Sequence, residues 1–191
     1  MCNVFRFILN LRPIYKPKLK KMKKLILSFA VIAIASLGAS AQSNLKFGIG
    51  VDGQLPIGDF NDAYKIGFGG SVKANYSLDA TLDLTLSAGY ISFSGKDIPN
   101  TNLKYANFDM IPVLAGIEYN FGASKVYASA QLGAGFGTKS GSKTAFAYAP
   151  GVGYKFTPNL DLLLKYTGYS YKGGTNSTVG LRLGYTFGQG K

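Results

Sequence analysis

Val179-Gly-Leu-Arg-Leu-Gly-Tyr-Thr-Phe187 is the stretch that decides the fold. Val179, Leu181, Leu183, Tyr185 and Phe187 alternate with Gly180, Arg182, Gly184 and Thr186. Side chains of an extended chain point to opposite faces in turn, so this period of two marks a strand with one face in an apolar medium. Its Tyr-x-Phe ending recurs as Tyr119-Asn-Phe121 and Tyr154-Lys-Phe156, with a weaker copy at Tyr76-Ser-Leu78. Each upstream copy runs into a short turn, and another alternating stretch follows. The repeated ending therefore marks one rim of a barrel.

Working outward, eight alternating stretches emerge, at about 45–55, 66–77, 81–93, 107–121, 125–137, 145–156, 160–171 and 179–187. Most are long enough to cross a bilayer, where a tilted strand needs about 9–11 residues. Short joins (Leu78-Asp-Ala80, Gly122-Ala-Ser124, Thr157-Pro-Asn159) alternate with longer ones at about 57–65, 94–106, 138–144 and 172–177. Short turns at one end and longer loops at the other are the arrangement of outer-membrane barrels. The expected fold is all-β: an eight-stranded antiparallel up-and-down transmembrane barrel over residues 42–191, with both termini on the short-turn, periplasmic side. Pro112 and Pro150 fall inside expected strands, where a missing N–H donor is costly, and bulges are the expected remedy.

The apolar face faces lipid in this reading. Tyr76, Tyr119, Phe121, Tyr154, Phe156, Tyr185 and Phe187 form an aromatic girdle at the periplasmic rim. Phe93, Phe136, Phe146, Tyr148, Tyr166 and Tyr169 are expected to supply the outer one. The opposite face gathers Lys46, Asp52, Lys73, Asp83, Glu118, Lys155, Asp161, Lys165 and Arg182. Five cations against four anions is the near-balance a buried lumen requires. Glu118 with Arg182, Lys165 and Lys155 is the constellation to weigh: a selectivity site, or a salt-bridge network that simply fills the lumen.

Most of the net charge of +12 belongs to the leader. Residues 1–41 carry eight basic residues and no acid, which leaves 13 basic residues against nine acids. No basic cluster survives there to suit a nucleic acid. Met22-Lys-Lys, the apolar run Leu25 to Gly38 and Ala39-Ser-Ala41 form the three parts of a secretory signal peptide, 22–41, cleaved near Ala41. Residues 1–21 are expected to be a mis-called extension, with translation starting at Met22. Cys2, the sole cysteine, lies in that extension.

Histidine is absent, which removes His-based triads. No Cys/His cluster suits a metal. Asp59, Asp62 and Asp97 are too sparse for a calcium loop. Gly-x-Gly recurs at 48–50, 67–69, 133–135, 151–153 and 188–190, never opening a helix, so a dinucleotide site is not expected. The chain is read as a non-enzyme with no catalytic, cofactor-binding or metal-binding residues and no cofactor.

In its signal peptide, aromatic last strand and alternation of short turns with long loops, the chain resembles the small outer-membrane β-barrel proteins of Gram-negative bacteria. In particular it is similar to the Bacteroidetes-type "outer membrane protein beta-barrel domain", or porin-like, family, over about 42–187. The resemblance implies an outer-membrane location, outer-membrane lipids as surroundings, and recognition of the last strand by the barrel assembly machinery through Leu183, Tyr185 and Phe187. The tail Gly188-Gln-Gly-Lys191 departs from signals that end at the final Phe. The expected role is structural or surface-interacting, with a narrow passive pore as an option. The alternatives are a part of an export or assembly machine, and a soluble periplasmic barrel that binds an apolar ligand.

Overall fold

The computed structural model describes residues 44–187, apart from positions 100, 123 and 140. The expected signal peptide, the extension before it and the tail after Phe187 lie outside the described residues. Eight strands follow one another: β1 Leu45–Ile57, β2 Tyr64–Ser77, β3 Leu82–Gly95, β4 Phe108–Asn120, β5 Val126–Gly137, β6 Thr144–Lys155, β7 Leu160–Tyr171 and β8 Gly174–Phe187. Every neighbour pairs antiparallel, and β8 returns to β1, so the sheet is a closed up-and-down barrel. The closing ladder runs from Phe47 opposite Phe187 to Ile57 opposite Ser177. Closure leaves no unpaired sheet edge, a condition for placing strands in hydrocarbon.

Burial shows which face is which. Val51 and Phe68 are each 64% exposed and Leu132 is 58% exposed, whereas Asp52, Glu118 and Arg182 are 3%, 2% and 3% exposed. All eight strands contribute large apolar side chains to the outer wall. A continuous apolar belt of that extent requires a non-aqueous surround. This inside-out distribution excludes the soluble-barrel alternative, in which the apolar face would line the interior.

Both prolines are accommodated without a bulge. The β3–β4 pairing passes from Ala88 opposite Val113 to Ile91 opposite Met110, and it lapses only beside Pro112. The β6–β7 pairing passes from Tyr148 opposite Gly168 to Gly151 opposite Lys165, and it lapses beside Pro150. Register is the same on both sides of each lapse. Each proline omits a ladder bond on one side and pairs on the other, with Gly135 and Ala130 respectively. The register shift that does occur lies between Tyr64 and Gly67 in β2.

Side-chain oxygens hold the short turns. Asp79 Oδ1 accepts from the Thr81 amide at 2.6 Å, the Thr81 hydroxyl at 2.7 Å and the Leu82 amide at 2.8 Å. The Thr81 amide above all holds that carboxyl below the usual carboxylate range. Thr157 Oγ1 accepts from the amides of Asn159 and Leu160, and Ser124 Oγ accepts from that of Val126.

Two connections at the other end differ from expectation. The expected loop 172–177 is a tight turn, with Gly173 at φ 107, because β8 begins at Gly174. Its extra residues are polar, since this hairpin rises beyond the apolar belt and carries no lipid-facing alternation. The expected loop 57–65 contains a short helix, α1 Asp59–Ala63, which carries the buried Phe60. In the third connection, Asp97 and Lys104 form an isolated antiparallel bridge.

Candidate functional site: a sealed lumen

The inner face is ordered along the barrel axis, and the turn end is floored by Tyr127. This residue is fully buried, and its hydroxyl donates to Asp161 Oδ2 at 2.5 Å. Gly153 pairs with it across β5 and β6. A Cβ at Gly153 would lie 2.1 Å from Tyr127 Cζ, so only glycine lets the ring lie there. Lys155 and Lys73 stand over the ring at 5.4 and 5.8 Å from its centroid, in cation–π range.

Above the floor lies the charge network. Lys73 pairs with Glu118 at 2.9 Å, and Asn75 donates to the other Glu118 oxygen at 2.9 Å. Lys165 pairs with Asp52 at 3.0 Å, and Ser71 donates to the second Asp52 oxygen at 2.6 Å. Arg182 Nε donates to Ser71 Oγ at 2.9 Å, and Arg182 Nη1 stands 3.9 Å from Asp161 Oδ1. Lys155 donates to Asn120 Oδ1, while Asn120 donates to Asp83 at 3.3 Å. Lys46 is half-buried near the turn end. The guanidinium lies against backbone: a Cβ at Gly50 would meet Arg182 Cζ at 2.6 Å, and one at Gly184 would meet Nη1 at 2.1 Å.

Glu118 therefore does not gather Arg182, Lys165 and Lys155 around itself. Its partner is Lys73, and the other three cations each have a different acceptor. Lys73 and Glu118 stand on β2 and β4, with β3 between them. Paired ions this well buried hold one another in place, because either alone would be an uncompensated charge away from water.

The loop end of the lumen is apolar, which sequence reading missed. Ile91, Phe93 and Phe60 form one buried cluster, joined by Tyr64 and Phe108. Phe60 meets the rings of Tyr64, Phe93 and Phe108 at 4.9, 5.1 and 5.6 Å. Met110, Leu114, Ala145, Ala147, Ala149 and Tyr169 form a second cluster beside it. Phe93 and Tyr169, expected in the outer girdle, are thus interior, at 0% and 1% exposed. Their positions share parity with Asp83 and Asp161, the signal that could have placed them inside. Lys96 donates to the backbone and side-chain oxygens of Asn61, tying α1 over this plug.

On the outer wall, Tyr76, Tyr119, Phe121, Tyr154, Phe156, Tyr185 and Phe187 are all exposed at the turn end. Each Tyr-x-Phe ending packs edge to face, with centroids 5.3, 5.2 and 5.2 Å apart for Tyr119–Phe121, Tyr154–Phe156 and Tyr185–Phe187. Phe136 and Phe146 are exposed nearer the loop end. Tyr148 and Tyr166 lie half-buried on the same wall, their rings 5.9 Å apart. Among the described residues no group of three or more His, Cys, Asp or Glu could hold a metal ion.

The profile of the family described as "Outer membrane protein beta-barrel domain" matches residues 27–187. The chain belongs to this family. It is an outer-membrane barrel of a Gram-negative bacterium. No curated protein matches it. Among solved structures it is similar to Ail, the attachment invasion locus protein of Yersinia pestis, at 21% identity and a TM-score of 0.52, covering 75% of this chain and 97% of that one. Ail in a phospholipid nanodisc matches at 20% identity and 0.53, covering 74% and 99%. The N-terminal barrel of Pseudomonas aeruginosa OprF matches at 20% and 0.49, covering 76% and 98%. At these identities the likeness is one of fold. The expected Bacteroidetes attribution is corrected: the matching family is the outer-membrane barrel domain at large, and Ail, whose fold this chain shares, is a Yersinia protein. Alternation and aromatic rims are demands of the bilayer, common to such barrels whatever their source, so they carry no lineage.

Proposed function

We propose that this protein is a closed barrel that acts at the cell surface through its loop end, and not a conducting pore or an export component. The observation that carries the reading is the filled lumen: Tyr127 at one end, the Phe60 plug at the other, and buried ion pairs between. Eight strands leave an interior just wide enough for side chains, and here side chains occupy it. In planar bilayers the purified protein is expected to give no single-channel events, and none with Phe60→Ala, because the charge network still blocks the path. Regular conductance steps in the wild type would overturn the closed reading.

The loop end offers Lys65, Lys96, Lys104, Lys139, Lys143 and Lys172 against exposed Asp59, Asp62 and Asp97. That excess favours an acidic surface polymer, a sulfated or phosphorylated polysaccharide. Ail has been crystallised with a heparin analogue, sucrose octasulfate, and lysines here offer the same class of chemistry. Immobilised heparin is expected to retain the folded barrel, with elution at moderate salt as screening removes the attraction. Lys104→Glu with Lys143→Glu and Lys172→Glu should abolish retention. Equal elution of wild type and triple variant would refute the assignment.

In this reading the signal at 22–41 directs export, residues 1–21 are a mis-called extension, and the assembly machinery engages Leu183, Tyr185 and Phe187. Outer-membrane lipids then surround the apolar wall.

A further inference from the structure

Between Tyr127 and the plug, the lumen has a cavity of about 20 Å³, whose polar lining is Asp52, Ser71, Lys73, Ser87, Gln131, Lys165 and Arg182. That is room for one particle of the size of a water molecule or a halide ion. Donors outnumber acceptors around it. Both Asp52 oxygens are engaged, by Lys165 and by Ser71. The Ser71 hydroxyl already accepts from Arg182 Nε. The Gln131 amide donates to Thr85. On the donor side, Lys73 and Lys165 each direct one N–H to a carboxylate, out of the three an ammonium carries. Arg182 is 3% exposed, and neither terminal guanidinium nitrogen has a hydrogen-bond partner.

The charged groups of the lining are three cations and one carboxylate. A water molecule there could accept only two of the hydrogen bonds that the unpaired N–H groups of Arg182, Lys73 and Lys165 offer, and would bring two further protons of its own. A monatomic anion accepts from every side and brings no proton. We propose that the lumen holds one monovalent anion of halide size, bound by Arg182, Lys73 and Lys165. It is a structural ion: it satisfies the guanidinium of the closing strand and locks β8 to β2 and β7, and it does not permeate. Gly50 and Gly184 belong to the site, because a side chain at either would displace the guanidinium.

Bromide is the probe. Protein refolded and crystallised in sodium bromide is expected to show one anomalous peak inside the barrel, within hydrogen-bond distance of an Arg182 terminal nitrogen and a lysine Nζ. Water density at that place, or bromide peaks on the surface only, would overturn the proposal. A second measurement is independent of crystals. The thermal unfolding midpoint in detergent is expected to rise with halide over gluconate at matched ionic strength. Lys165→Met, at the margin of the cavity, should lose that dependence. Equal wild-type midpoints in the two salts would overturn the proposal, and that comparison stands even if the variant does not fold.

Discussion

Glu118→Ala lowers the stability of the folded barrel by about 3–5 kcal/mol, the cost of leaving a buried charge without its partner. Lys73 is 5% exposed and has Glu118 as its carboxylate at 2.9 Å. Asn75 loses its acceptor in the same change. The floor ring of Tyr127 stays near Lys73, but a cation–π contact of about 0.5–2 kcal/mol does not replace a carboxylate. Lys73→Met with Glu118→Leu removes both charges and fills much of the same volume, so it should recover most of the loss. Reversible urea unfolding in lipid vesicles, with heat-modifiable gel mobility as the folded-state readout, measures both variants. A midpoint unchanged in Glu118→Ala would mean that water reaches Lys73, and the sealed lumen would be wrong. Conductance stays absent in this variant, because Tyr127 and the Phe60 plug still close the two ends.

Leu132→Arg has a comparable effect from the opposite face. Leu132 is 58% exposed on the outer wall, four residues from Ala128, which pairs with the girdle residue Tyr119, and four from Phe136. It therefore stands near mid-depth of the apolar belt. A guanidinium at the bilayer midplane of a barrel costs about 2–4 kcal/mol, whereas near the interface the cost falls to about 0–1. Thr144→Arg at the loop end is the internal control and should leave stability unchanged. Folding yield and urea midpoint in vesicles separate the two substitutions. Equal midpoints would mean that Leu132 faces water, which would revive a soluble barrel.

These two experiments probe different levels of the molecule. The lipid-facing position of Leu132 was legible from alternation alone, because a strand has two faces and one of them must meet hydrocarbon. The same logic placed Asp52, Lys73, Glu118 and Arg182 on the inner face. It could not say that Glu118 meets Lys73, since they lie 45 residues apart with another strand between them. Which inner residues meet across a barrel depends on strand tilt and stagger, and those are properties of closure. Phe60 was illegible for another reason. It sits in a connection with no periodicity, and its burial follows from the gap above Phe93 and Phe108.

The closing strand holds both kinds of information. By itself the sequence determined that Val179 to Phe187 is a strand, that its odd residues face lipid, and that its Tyr-x-Phe ending lies at the turn rim. Local geometry suffices for those statements, because side chains alternate at every residue. Tertiary structure alone decided that Arg182 lies over Gly50 of β1, donates to Ser71 of β2 and stands near Asp161 of β7. Those contacts exist only once eight strands close at one circumference and bring distant inner faces within a side chain's reach.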